Sequence, residues 1–363
     1  MQVWGRAVRG KHIAATVLAA AASVVWASPA PAPVFDPGLP TALSTKGVPS
    51  FQAACAKLHA LGYLPIQEVR PTGPTHQGDP AGQAVVFDFP VPPELQRIAD
   101  SQVWGPRNPF VRGAVIAFSR ANGLQHRAGA SQGLLTAPLE AAILSGQADT
   151  PAAHRWEWVL VNKHLRQRDA ETLKVWKAPA STRTASNART EASAPKVASA
   201  PAAHADLLAS QGYVFKTPVS TGVLGQTPDV TSPVWERLPR TRMRGVFPRP
   251  VSWAFYKAQR AAKPTSEASA PTGTRSLQAQ PAVRVGLVGG HPVQWVPYDD
   301  PGILWVSYFD GGRGIHYFPR RQYGFPQSAG CVEEPKQAAK AVYELLHYGV
   351  PVSVVSGLPV HGS

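Results

Sequence analysis

A histidine and a cysteine near the C-terminal end of the chain have the types and order of a general base and a nucleophile. His316 lies in Gly-Ile-His-Tyr, and Cys331 follows in Gln-Ser-Ala-Gly-Cys-Val. An imidazole that takes up the thiol proton makes a cysteine a strong nucleophile without a metal. The pair therefore predicts acyl transfer through a thioester. Spacing alone leaves open that His316 is an ordinary core or surface histidine.

The residues around the thiol predict its surroundings. Gly330 permits a tight turn, and Pro335 is a favoured residue in the first turn of a helix. The backbone amides of Gly330 and Cys331 are therefore candidates for an oxyanion hole. We expect the dipole of the following helix to favour a thiolate at Cys331.

Two other roles for the thiol follow from composition. Cys55 and Cys331 are the two cysteines of the chain and could form one disulfide in an exported protein. Their local patterns differ, however, and Cys55 lies on the apolar face of a predicted helix, as a core residue would. Cys331, His316 and His347 do not have zinc-ligand spacing, so we expect no metal site and no cofactor.

The elements that must position the pair are mostly strands. β-rich runs occupy residues 156–161, 173–176, 213–219, 283–288, 303–308, 314–318 and 351–355. A helix is predicted over residues 335–347 and ends before Gly349. This pattern predicts a mainly β domain with one late helix, and low-complexity insertions near residues 178–204 and 262–281 interrupt it.

The N-terminal sequence indicates export. Basic residues precede an apolar run over residues 13–26, and small residues follow it, so residues 1–32 are predicted to be a signal peptide or a membrane anchor. Residues 33–48 form a Pro-rich spacer. The net charge of +14 favours anionic partners such as wall polymers. Nucleic acid is not expected, because the basic residues are scattered and no binding motif is present.

Residues 49–148 resemble the peptidoglycan-binding domain family. The resemblance rests on Leu-Gly-Tyr-Leu at 61–64, Gly-Ala-Val-Ile-Ala-Phe at 113–118, Gly-Leu at 123–124 and Gly-Leu-Leu-Thr at 133–136. It implies a small three-helix domain. Ser119 stands where the family has Gln, and the stretch from 68 to 108 is longer than usual. A generic helical spacer is the alternative.

Residues 155–357 resemble the L,D-transpeptidase catalytic domain (YkuD-like) family. Its signature is a His on a strand, a variable stretch, and then Ser-x-Gly-Cys with a branched apolar residue, which His316, Ser328, Gly330, Cys331 and Val332 match. Ser-Thr-Gly at 220–222, Thr-Pro-Asp at 227–229 and Gly-Val-Pro-Val at 349–352 match further segments. The resemblance implies a β-sandwich.

The sequence departs from this family at three positions near the thiol. Ala329 stands where His is common, Tyr317 where Gly is common, and Glu333 where Arg or Asn is common. None of these changes removes Cys331 or His316. Glu333 puts substrate contacts in doubt.

The resemblance implies an exported or membrane-anchored cysteine transpeptidase that cross-links peptidoglycan stem peptides. In that reading Cys331 and His316 are catalytic and Ser328 supports the site. Candidate substrate-binding residues are Arg320, Arg321, Tyr308 and Tyr323. The alternatives are an L,D-carboxypeptidase that uses water as acceptor, a catalytically decayed wall-binding protein, and a cysteine peptidase of another fold.

Overall fold

The computed structural model describes residues 48–72, 82–146, 149–164, 171–179, 212–261 and 283–357. The predicted signal or anchor, the Pro-rich spacer before residue 48, and all but the edges of the two low-complexity insertions lie outside these residues. Within them, no helix is long and apolar enough to cross a membrane.

The N-terminal unit contains four helices and a β-hairpin, so the three-helix prediction is wrong. Its elements are α1 (Val48–Ala60), β1 (Ile66–Thr72), β2 (Gly82–Phe87), α2 (Pro93–Asp100), α3 (Pro109–Ala121) and α4 (Ala137–Leu144). The unpredicted elements β1, β2 and α2 lie in the stretch 68–108 or at its edge. Strands β1 and β2 are held together by their own backbone pairing, and α2 has only 8 residues. Neither the hairpin nor α2 therefore shows a long run of regularly spaced apolar residues that would predict it from the sequence.

Eight shorter strands and two long ones form the sheets of the second unit. They are β3 (Glu157–Lys163), β4 (Thr172–Lys177), β5 (Tyr213–Pro218), β6 (Val230–Pro233), β7 (Glu236–Pro250), β8 (Val285–Val288), β9 (His291–Asp310), β10 (Arg313–Tyr317), β11 (Val332–Glu334) and β12 (Pro351–Ser356). One five-stranded sheet has the order β5-β4-β3-β12-β6. The other has the order β11-β10-β9-β7, with β8 also paired to β9.

Both sheets contribute to one apolar core. Val159 and Val352 come from the first sheet, Phe309 and Ile315 from the second, and all four are fully or almost fully buried in the same cluster. Two sheets that share an inner core agree with the predicted sandwich. The strand that carries His316 and the closing strand also lie where the sequence predicts them.

The second unit has two helices rather than one. The predicted late helix is α6 (Lys336–Leu345), and Val342 anchors it in the core. The unpredicted helix is α5 (Trp253–Ala261), which buries no residue fully. With six α-helices in its two units together, the described part of the chain as a whole is mixed α/β.

The two units are packed together through a second core. Phe110 of α3 lies against Trp158 of β3, with ring centroids 4.9 Å apart. Tyr213 of β5 donates a 2.8 Å hydrogen bond to Glu94 of α2. Buried residues of both units form one continuous apolar cluster.

A two-stranded arm extends from the second sheet. In its outer part, residues 242–250 of β7 pair with residues 293–301 of β9. Strand β8 pairs with β9 at the far end, and α5 packs on β8 and β9. We refer to residues 242–261 and 285–301 as the arm.

Candidate active site

Strands β10 and β11 bring His316 and Cys331 to the same part of the second sheet. The two strands are parallel, with Ile315 opposite Val332 and His316 opposite Glu333. Ile315 and Val332 point into the core, and because side chains alternate along a strand, His316 and Glu333 face the other way. Cys331 lies one residue before β11, and a backbone hydrogen bond from Gly314, two residues before His316 on β10, acts on its thiol. The ring and the thiol therefore both lie beside β10.

The His316 ring is held in one orientation. Its side chain is 2% exposed, and Nδ1 lies 2.9 Å from the Tyr317 carbonyl oxygen. Because a carbonyl can only accept, Nδ1–H donates, which leaves Nε2 of the neutral ring as an acceptor. Burial lowers the pKa of His316 to about 4, and Arg320 lowers it further, while the Tyr317 hydrogen bond opposes both. The ring is neutral near pH 7 and can take a proton.

Burial favours the protonated form of the Cys331 thiol and so opposes the expected thiolate. Burial raises the pKa of Cys331 to about 11, Glu333 adds to the rise, and a Gly314 backbone hydrogen bond and Arg313 oppose it. Strand β11 separates Cys331 from α6, which begins only at Lys336. The helix dipole acts within about one turn of the helix end, so it does not reach the thiol.

Ser328 and Gly330 form the turn that presents the thiol. Ser328 Oγ accepts a 3.0 Å hydrogen bond from the Gly330 amide and donates a 2.6 Å bond to the Cys331 carbonyl. Gly330 has φ +141°, and a Cβ there would lie 3.1 Å from the Gln226 carbonyl oxygen. The predicted need for glycine is confirmed. The Gly330 amide already has an acceptor, so only the Cys331 amide stays a candidate for the oxyanion hole.

A neighbouring segment braces this turn. Thr227 Oγ1 donates to the Gly330 carbonyl at 2.8 Å and accepts from the Gly222 amide at 2.7 Å. The Thr221 carbonyl accepts the Ser328 amide at 2.9 Å, and the fully buried Glu171 accepts from the Thr221 amide and hydroxyl. Sequence reasoning missed Glu171, because a single Glu before a strand carries no distinguishing signal.

Arg320 is bound to Glu333 and is not a free cation. Its Nε and Nη2 lie 2.7 Å and 2.9 Å from the two carboxylate oxygens of Glu333, and Nη2 also donates to the Gln327 carbonyl at 3.2 Å. Glu333 already neutralises the Arg320 charge, and binding of a substrate carboxylate by Arg320 stays a prediction. Arg321 is exposed.

Of the two tyrosines singled out in the sequence, only Tyr308 lies beside the thiol. Burial raises the pKa of Tyr308, and Cys331 raises it further. Tyr323 instead donates a 2.6 Å hydrogen bond to the Phe318 carbonyl and so supports the loop after His316. Tyr298 of the arm was missed: burial raises its pKa to about 12, and Cys331 is the next cause.

Arg313 is a second residue that sequence reasoning missed. It donates through Nε to the Gln226 carbonyl at 2.9 Å and through Nη1 to Asp310 at 2.9 Å, and it lowers the pKa of the neighbouring Cys331 thiol. Both Cys55 and Cys331 are free, so the disulfide alternative is wrong. In the described part of the chain, no group of three or more His, Cys, Asp or Glu could hold a metal ion.

Comparison with known proteins places this site in a family. The family model of the L,D-transpeptidase catalytic domain (YkuD) matches residues 197–354, which include His316 and Cys331. The chain carries an L,D-transpeptidase catalytic domain. No curated protein matches the sequence.

Solved L,D-transpeptidases are similar to the chain at low identity. An L,D-transpeptidase from Mycobacterium smegmatis is 16% identical to this chain. The match covers 55% of this chain and 59% of the Mycobacterium smegmatis chain, with a TM-score of 0.28. One from Enterococcus faecium is 11% identical over 83% of this chain and 98% of its own, also with a TM-score of 0.28. The chain thus spans about three fifths of the Mycobacterium smegmatis structure. These TM-scores add nothing to the family match.

The L,D-transpeptidase family match covers only part of the chain. It starts after β3 and β4 and excludes residues 49–148. The resemblance of that N-terminal unit to peptidoglycan-binding domains stays a prediction.

Proposed function

We propose that the chain is an exported cysteine acyltransferase that cross-links peptidoglycan stem peptides through an acyl-enzyme at Cys331. The observation that carries the proposal is that β10 holds both His316, with Nδ1 bound to the Tyr317 carbonyl, and Gly314, whose backbone hydrogen bond acts on the Cys331 thiol. The family match at residues 197–354 supports the substrate class.

The acylation step begins from a neutral pair. His316 Nε2 takes the thiol proton as Sγ of Cys331 attacks the carbonyl of the L-centred residue in a tetrapeptide stem. The Cys331 amide stabilises the oxyanion. The intermediate collapses to a thioester, and the protonated His316 returns the proton to the departing amine of the terminal D-Ala.

The second step reverses these roles. A side-chain amine of another stem attacks the thioester, His316 accepts a proton from it, and the Cys331 thiolate leaves as the new amide bond forms. His316 then reprotonates the thiol, so the enzyme is restored and no external oxidant or metal is consumed. Arg320 and Glu333 hold the intervening loop, and Tyr308 and Tyr298 flank the thiol. The basic chain, with net charge +14, fits an anionic wall.

Product analysis tests the proposal. Purified protein is incubated with disaccharide-tetrapeptide, and products are identified by mass spectrometry beside Cys331→Ala and His316→Gln variants. We expect a cross-linked dimer that both variants lose, and a carbapenem adduct on Cys331 only. Tripeptide monomer alone would identify a carboxypeptidase. A folded protein that gives no product and no adduct would refute the enzyme and leave a wall-binding role.

A further inference from the structure

Among the residues that the structure describes, the far end of the arm carries cations that no carboxylate opposes. Arg249, Lys257, Arg260 and Arg284 are all exposed, and residues 249–261 and 283–298 contain no Asp or Glu. Within the described residues, none of the four makes an ion pair. The arginines nearer the sheet differ, because Arg242 and Arg244 both pair with Asp299.

The same end exposes large apolar side chains. Trp253, Val283 and Leu287 are 51%, 42% and 49% exposed, and they are three of the six large hydrophobic residues exposed in the described chain. Apolar side chains that cluster on a surface mark a contact with another molecule or a membrane.

Helix α5 combines both properties on one side. Trp253, Lys257 and Arg260 recur at helical spacing and are exposed, whereas Phe255, Tyr256 and Gln259 are half-buried. Among the described elements, the helix packs mainly on β8 and β9, and none of its residues is fully buried. Its outer face therefore has the half-exposed Trp253 ring, which contacts the Tyr256 ring of the same helix at 5.6 Å, and two cations that make no ion pair with the described residues.

We propose that the arm tip, defined as residues 249–261 and 283–291, binds the surface of an anionic phospholipid bilayer. Cations attract the phosphate headgroups, a half-exposed Trp suits the membrane–water interface, and exposed aliphatic side chains enter the acyl boundary. A hydrophilic wall polymer would satisfy the cations but not Val283 and Leu287, so the bilayer fits better. This contact is separate from the predicted N-terminal anchor and does not depend on the acyl-transfer reaction.

Such a contact would orient the active site. The arm also carries Tyr298, whose pKa is raised in part by Cys331, so the same element reaches from the thiol region to the tip. Binding of the tip would hold the reaction centre at a fixed height above the lipid.

Vesicle sedimentation of the full chain tests the inference. Vesicles contain phosphatidylglycerol and phosphatidylcholine, or phosphatidylcholine alone. Each cation near an anionic surface contributes roughly fivefold to partitioning, so Lys257→Gln/Arg260→Gln should weaken binding to anionic vesicles about 25-fold. High salt should weaken wild-type binding. The apolar run at residues 13–26 is present in every variant, so its contribution cancels when the vesicle binding of two variants is compared as a ratio.

A matched control and a local readout complete the design. Arg107→Gln/Lys336→Gln removes the same charge from exposed sites elsewhere and should change binding less than about threefold. Hydrogen exchange of residues 253–261 should slow on anionic vesicles and not in the tip variant. Equal losses in the two double variants, or no loss in either, would overturn the inference. Loss of binding to purified peptidoglycan with vesicle binding unchanged would overturn it in favour of a wall polymer.

Discussion

Removal of the Arg320 guanidinium should leave a buried charge in the site loop. The Glu333 side chain is 6% exposed, and the Arg320 side chain that neutralises it is 25% exposed. Removing one partner of a buried ion pair costs about 3–5 kcal/mol, because the remaining charge is desolvated without compensation. Water reaches part of the guanidinium, so we expect Arg320→Met to lower the free energy of unfolding by about 3 kcal/mol, at the bottom of that range.

The loss should depend on pH. Burial already raises the pKa of Glu333 and Arg320 opposes the rise, so without Arg320 this pKa climbs further. The folded variant then binds more protons than the unfolded chain above the ordinary pKa of Glu, and its stability falls as pH rises. Urea unfolding at pH 5 and pH 8 should therefore show a larger deficit at pH 8.

Two variants make this test specific. Arg321→Met changes the adjacent exposed arginine and should cost under about 0.5 kcal/mol. Arg320→Met/Glu333→Leu removes both charges and should recover most of the lost stability, since apolar replacement of a buried pair is often neutral. If Arg321→Met is as harmful as Arg320→Met, or if the deficit is the same at both pH values, the ion pair does not have the role assigned to it.

Three further predictions concern the thiol and two close glycine contacts. Because the pKa of Cys331 is raised to about 11, its iodoacetamide alkylation rate should rise about tenfold per pH unit from pH 7 to 10, and a plateau near neutral pH would reveal a preformed thiolate. Gly330→Ala places a Cβ at φ +141° and should cost about 2 kcal/mol in urea unfolding. Gly312→Ala, with open space at its Cβ, is the near-neutral control. Gly113→Ala would put a Cβ 2.2 Å from the Gly349 carbonyl oxygen, so thermal melting should fall by several degrees, and an unchanged melting temperature would show that this contact yields freely.

Local patterns in the sequence were enough to predict the centre of the site. His316 on a strand, the glycine requirement at 330, helix α6 and the closing strand each depend on residues close together in the chain. The Ser-x-Gly-Cys segment also carried the family resemblance, which the match over residues 197–354 supports.

Contacts between distant segments were not predictable in this way. From the sequence, Arg320 and Glu333 are two separate charges, because their pairing depends on how the loop after β10 folds back over β11. Glu171 and Tyr298 reach the site only through the sheets. Helix α5 has no fully buried residue, so its sequence lacks the core positions that mark a helix such as α3. The expected low pKa of the Cys331 thiol is opposed mainly by burial, and β11, a strand of 3 residues before α6, also separates the thiol from the helix end.

The position of β12 affects the order in which the molecule can be completed. This strand is the last one in the described part of the chain, yet it lies inside its sheet, paired in parallel with β3 and antiparallel with β6. During synthesis the sheet therefore keeps an open gap between β3 and β6 until β12 has been made. β3, the neighbour it must find, lies outside the residues that match the family. A fragment cut to residues 197–354 would lack that partner, so the smallest piece able to fold must begin before Glu157.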